Sequence, residues 1–147
     1  MFANEPLANQ RVKQGEFLIC RGNGNKSLVG VGVFAPTSMP DTAFPDTIIA
    51  GQIDPNKFHP QFFQDVWNGK WVRNQIEKSA RTTNGTFKVN QSGLEALRIP
   101  MPDIGLQKAY GEKAELIHHE KALALGQLGF LNSLFASLQS RAFSGQL

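Results

Sequence analysis

"LQKAYGEKAELIHHEKALALGQLGFLNSLFASLQSRAF", Leu106 to Phe143, contains no proline. It permits one helix of some 38 residues, roughly 57 Å at 1.5 Å per residue, far longer than a typical globular helix. Asp103 is the expected N-cap and Gly145 the expected stop. Ile117, Ala124, Leu128, Leu131, Phe135 and Leu138 keep a four-three spacing over most of the length, continued by Ala142 and widened by Leu116, Leu123, Phe130 and Leu134. That pattern is the seam of a coiled coil or of a hairpin of long helices. A body of about 105 residues cannot bury so long a stripe whole, so the seam predicts a second helix from another chain, with a homodimer as the simplest case. Gly111, Gly126 and Gly129 each weaken the helix by about 1 kcal/mol relative to alanine, a cost that close approach of a partner backbone would offset. The chain therefore divides into a body, residues 1–104, and a helix, residues 105–147.

Immediately upstream, "TTNGTFKVNQSGLEALRIPMP", Thr82 to Pro102, holds a switchback. Asn84-Gly85 signals a turn, and Phe87 and Val89 alternate with Lys88 and Asn90 as a half-buried strand does. Ser92 and Glu95 have capping-box spacing, predicting a helical turn capped by Ser92 and ended before Pro100 and Pro102. Further back, Phe62, Phe63, Val66 and Trp67 share a helical face that stops at Asn68-Gly69. A second helix follows, with Trp71, Val72 and Ile76 apolar and Lys70, Arg73 and Lys78 in water; the aromatic residues read as core rather than as base-stacking platforms. Glu16–Cys20, Leu28–Phe34 and Thr47–Ile53 read as strands. Arg21–Ser27 is a hairpin-like connection, and Pro36–Pro45, with three prolines, a loop. The valine-glycine alternation in the second strand predicts another backbone lying close against it. The expected fold class is α+β: a small mixed body of sheet and helix, followed by a long C-terminal helix that pairs as a coiled coil or helical hairpin.

With 147 residues, 41% hydrophobic and 18% charged, the composition is that of a folded domain with an appendage rather than a disordered chain. Its apolar runs are too short for a membrane span, and Met1–Gln10 has neither a basic segment nor an apolar core of the signal-peptide kind. A cytoplasmic location is the expectation. The single cysteine, Cys20, has no internal disulfide partner and is expected to be a buried thiol in a reducing compartment. The net charge of +3 is modest, but it is unevenly spread. Between Asn9 and Lys26, Arg11, Lys13, Arg21 and Lys26 stand against Glu16 alone; between Lys70 and Pro100, six basic residues stand against Glu77 and Glu95. Two such segments converging on one face would suit nucleic acid.

Motifs for other chemistry fall short. Gly22-Asn-Gly-Asn-Lys-Ser27 lacks the glycine that a phosphate-binding loop places directly before its lysine, and a strand rather than a helix follows it. His118 and His119 are adjacent on a helix and point about 100° apart, so they cannot ligate one metal as an i, i+4 pair does. No nucleophile stands beside a base, so no catalytic residue, metal site or cofactor is expected. What remains is contact chemistry. The candidate DNA-contacting residues are Arg21, Asn23, Asn25 and Lys26 in the first polar turn, and Arg81, Thr82, Thr83, Asn84, Lys88 and Asn90 in the second. Arginine and asparagine are the expected readers of base edges, lysine and threonine the expected holders of phosphates.

"LEALRIPMPDIGLQKAYGEKAE", running into the apolar helix that closes on "SLFASLQSRAFSGQL", resembles the specificity subunits of type I restriction-modification systems. The matching residues are Ile99-Pro-Met-Pro102, Gln107 and Arg141-Ala-Phe-Ser-Gly-Gln-Leu147. Upstream, "VKQGEFLICRGNG" is similar to the family's G-D-I-L-I-x-R stretch, with Glu16 in place of the usual aspartate, and "FFQDVWNGKWVRNQIEKSA" resembles its paired-helix segment. Family members carry two recognition domains and two spacer helices, and the resemblance implies that this chain covers the latter part of one recognition domain and one spacer helix. It further implies double-stranded DNA as ligand, and modification (methyltransferase) and restriction subunits as partners that carry methyl transfer from S-adenosylmethionine and cleavage. The alternative is a non-catalytic assembly protein whose body does not bind DNA alone.

Overall fold

The structure, a computed structural model, describes residues 11–83 and 85–146; the reading of Met1–Gln10 lies outside them. The fold is mixed α+β. In chain order the elements are β1 (Arg11–Val12), β2 (Phe17–Cys20), β3 (Gly22–Asn23), β4 (Gly32–Phe34), β5 (Met39–Ala43), β6 (Ile48–Gly51), α1 (Pro60–Asn68), α2 (Lys70–Ser79), β7 (Arg81–Thr83), β8 (Thr86–Lys88), α3 (Gln91–Glu95) and α4 (Ile104–Phe143). The strands form three small antiparallel sheets, ordered β1-β5, β4-β2-β6 and β3-β8-β7. The chain separates into two compact units, Met1–Lys108 and Ala109–Leu147.

The core of the first unit forms where β2 meets the two helices. Alternation along β2 sends Phe17 and Ile19 inward, onto Val29, Phe63, Trp67, Val72, Ile76 and Val89. Phe17 packs edge-on against Phe63 and Trp67, with ring centroids 5.0 and 5.4 Å apart, and the buried Trp67 indole donates to the Gly30 carbonyl at 2.7 Å. Polar side chains of α1 close the outer edge of β4. Asn68 exchanges two hydrogen bonds with the Gly32 backbone, and Gln64 accepts from Phe34 N–H. An edge so covered cannot pair with another strand.

Several expectations change. The proline-rich stretch is not all loop: β5 pairs with β1 and includes Pro40, which a two-stranded ribbon accommodates because neither strand is central. Residues 26–28 form a 3-10 turn, so the second strand shortens to β4. What lies close to its glycines is side chain rather than backbone. A Cβ on Gly32 would stand 2.3 Å from the Phe17 ring, and one on Gly30, whose φ is +76°, 2.4 Å from Ile76. Asn90, not Ser92, caps α3, accepting from Gly93 N–H at 2.9 Å. Trp71 is 55% exposed rather than core. Arg73 turns inward, donating to the carbonyls of Val29 (2.6 Å) and Ser27 (2.9 Å). Cys20 is half-buried rather than buried, with Sγ 3.7 Å from the Gly22 carbonyl.

Helix α4 has 40 residues. Asp103 accepts from Leu106 N–H at 3.1 Å, as an N-cap does. Gly145, at φ +72°, stops the helix, with Gln146 N–H on Arg141 O and Gly145 N–H on Ala142 O; this is the Schellman pattern. In its first turn Gln107 is fully buried, accepting from His59 N–H and donating to the carbonyls of Lys57 and Pro102.

The tight site at Gly32 has a measurable consequence. Gly32→Ala should lower unfolding stability by about 1–3 kcal/mol, the usual cost of overpacking. Gly51→Ala, where a Cβ meets nothing within 4 Å, should change it by less than about 0.5 kcal/mol. Urea denaturation midpoints of the two variants check the contrast.

Candidate functional site

Two segments some sixty residues apart in sequence meet in the β3-β8-β7 sheet. Lys88 of β8 stands opposite Gly22 on one side and Arg81 on the other; Phe87 stands opposite Asn23 and Thr82. Arg21, immediately before β3, is tied to the same sheet by Val89 N–H donating to its carbonyl at 2.9 Å. Beside this sheet lies a cleft of about 530 Å³, lined by Arg21, Lys78, Ser79, Ala80, Arg81, Lys88, Val89, Asn90, Ser92 and Gly93. Four of these residues are cationic and none is a carboxylate. All four cations are exposed, and among the described residues none is within ion-pairing distance of an acid. Asp46 shares an adjoining recess of about 60 Å³ with Arg21 and Lys88 and offers Arg21 its backbone carbonyl, at 3.4 Å. Arg81 and Lys88 are directly opposed like charges, an arrangement that disfavours the isolated sheet. A concave surface with charge of one sign concentrates counter-ions.

The first polar turn is held together by its own amides. Asn23 Oδ1 accepts from Asn25 N–H at 2.8 Å, and Asn25 Oδ1 accepts from both the N–H and the hydroxyl of Ser27. Arg73 clasps the far side of the turn through the Ser27 and Val29 carbonyls. Lys26 reaches across to β8, its Nζ 6.0 Å from the Phe87 ring centroid. The carboxamide oxygens of Asn23, Asn25 and Asn90 are all engaged within the protein; Asn25 Oδ1 accepts twice and leaves only its N–H groups to face a ligand, while Asn23 and Asn90 keep one lone pair each. Bidentate pairing with adenine needs both halves of the amide.

Of the ten candidate contact residues, the cleft gathers Arg21, Arg81, Lys88 and Asn90. Asn23, Asn25 and Lys26 form the neighbouring turn, and Thr82 is exposed on β7. Thr83 is described by its β7 backbone, and Asn84 lies outside the described residues. Lys78 was missed as a site residue. Its signal was its place in the last turn of α2, directly before the β7 segment that carries Arg81. Along α4 the expected seam residues Ile117, Ala124, Leu128, Leu131, Phe135 and Leu138 are all exposed, and no charged residue stands between Lys121 and Arg141. His118 and His119 are exposed, and no group of three or more His, Cys, Asp or Glu among the described residues is placed to hold a metal ion. No described helix is long and apolar enough to cross a membrane.

No protein-family model matches the chain, and no curated protein is significantly similar to it.

Opposed like charges without an acid partner give a test independent of any ligand. Lys88→Gln should leave the melting temperature unchanged or raise it by about 1–3 °C at low salt, and 0.5 M salt should shrink the difference. A fall of several degrees in differential scanning fluorimetry would show that Lys88 serves the fold.

Proposed function

We propose that the chain is a sequence-specific DNA-recognition module of a type I restriction-modification complex, non-catalytic itself, whose long helix docks the methyltransferase and restriction subunits. The observation that supports DNA contact is the meeting of two basic segments, remote in sequence, on one three-stranded sheet with no neutralising acid in the adjoining cleft. A structural ion-pair network would have supplied the acid. Nucleic acid supplies one negative charge per phosphate, and the lost counter-ions drive the association. The assignment to the type I system rests on the resemblance carried by Ile99–Pro102, Gln107 and Arg141–Leu147.

Helix α4 favours a part in assembly. Leu128 is 53% and Phe135 62% exposed, and apolar side chains continue from Leu116 to Leu138. A helix with so wide an apolar surface is stable in water when another surface covers it. We assign the Ile117–Leu138 seam to pairing with a second long helix, in the simplest case that of a second copy. The same helix supports the rival reading, a pure assembly protein whose body does not bind DNA alone.

Binding to a fluorescent duplex pool separates the two. Under the recognition reading, affinity falls steeply between 50 and 200 mM salt, and selectivity for one sequence appears with the chain alone or with the methyltransferase subunit present. Binding without selectivity in the full complex would leave assembly as the function. For the helix, Leu128→Asp should convert a self-associating chain to monomer in sedimentation while circular dichroism stays helical. A wild-type monomer with intact helix counts against a homotypic seam.

A further inference from the structure

We infer that the basic cleft is a seat for a phosphate group and not a pocket for a base, an assignment that rests on the DNA-binding reading for its natural ligand. The argument is the hydrogen-bonding character of the lining. Arg21, Lys78, Arg81 and Lys88 carry donors only, and Asn90, one lone pair of its oxygen already engaged in capping α3, adds two N–H donors. The hydroxyls of Ser79 and Ser92 are the exceptions, and the Ser79 proton already goes to the Ile76 carbonyl. Base edges mix donors and acceptors; a phosphate is all acceptor, and its oxygens match the planar fork of an arginine.

Electrostatics points the same way. Helix α2 ends at Ser79, so its C-terminus brings roughly half a negative charge toward the cleft. Four cationic side chains outweigh that severalfold. At about 530 Å³ the cleft lies within the range of small-ligand sites, roomy for a phosphate together with its sugar. Phosphate contacts position a protein on DNA without carrying sequence information. Arg21, Arg81, Lys88 and Asn90 therefore confer affinity and register, and base reading falls outside the cleft.

The same chemistry fits a backbone phosphodiester or the phosphate of a free nucleotide, and the test distinguishes them. The full chain and its Arg81→Gln and Lys88→Gln variants are titrated with a panel of duplexes over a range of salt, and separately with inorganic phosphate and a 5′-mononucleotide. Circular dichroism verifies folding. The expected result is that each variant lowers the slope of log K against log salt by about 1, and leaves the ranking of duplex sequences unchanged. An unchanged slope, or an altered ranking, overturns the seat while DNA binding stands. Mononucleotide binding that Lys88→Gln abolishes, in a chain that ignores duplexes, keeps the phosphate seat and removes the DNA reading. Failure to bind any of the probes removes both.

Discussion

One residue separates β2 from β3, and the structure of the first unit depends on how that junction is bonded. The N–H of Arg21 donates to Thr47 O at 2.7 Å, on the β6 side, while its carbonyl accepts from Val89 N–H at 2.9 Å, on the β8 side. Its backbone is thus fixed to two sheets. The strand that carries Phe17 and Ile19 into the core passes, within a single residue, into the strand that pairs with Lys88. Val89, buried in the same core, directly follows Lys88. Side chains at the cleft are therefore placed by backbone bonds and by packing, not by loops, and a charged surface built this way holds its geometry without a ligand.

Amide side chains do the remaining joining. Asn68 pairs with the Gly32 backbone, Gln75 exchanges two hydrogen bonds with Arg98, and Gln107 ties His59, Lys57 and Pro102 together. A carboxamide has a donor and an acceptor side by side, so it replaces one rung of a sheet ladder and satisfies backbone groups that would be costly to bury unpaired. Little in the local pattern marks these roles, because every partner but Pro102, five residues before Gln107, lies 23 or more residues away. In the turns the same chemistry works over short range. Asn23 and Asn25 look like readers in sequence because they are polar and stand in a loop, and their oxygens prove to be the glue of that loop.

Periodicity made the helices legible. Helix α1 with its Asn68-Gly69 stop, the single turn of α3, and α4 from its Asp103 cap to Gly145 could all be read from spacing and punctuation. The apolar runs that became β2, β4 and β6, and the alternation at β8, were legible too; β3, β5 and β7, whose short segments carry little alternation, appear only once their partners are known. Trp71 and Arg73 exchange the places that their residue types suggest, because helical angle decides which side chain turns inward. Ile76 lies about 40° beyond Val72 on the side of Arg73, so the buried arc of α2 leans toward the arginine and away from the tryptophan. The convergence of the two basic segments was visible as a charge imbalance, but the shape they make was not. A cleft depends on register, and register here is set by the pairing of Lys88 with Gly22 and Arg81.

The two conspicuous surfaces of the chain are unsatisfied in opposite ways. One has four cations and no acid in its cleft; the other is an apolar helix whose stretch between Lys121 and Arg141 carries no charge. Under the proposed function the two are linked by magnitude. One phosphate seated in the cleft contributes a salt slope of only about 0.9, so raising salt from 50 to 200 mM costs that contact roughly threefold to fourfold in affinity. One copy alone would hold DNA weakly under those conditions. Joining two such bodies through paired helices makes the second contact intramolecular, which raises overall binding by roughly 10²–10⁴-fold where both bodies reach the same duplex. On that proposal the helix would contribute to DNA affinity without touching DNA, and its apolar seam and the basic cleft would be parts of one binding function.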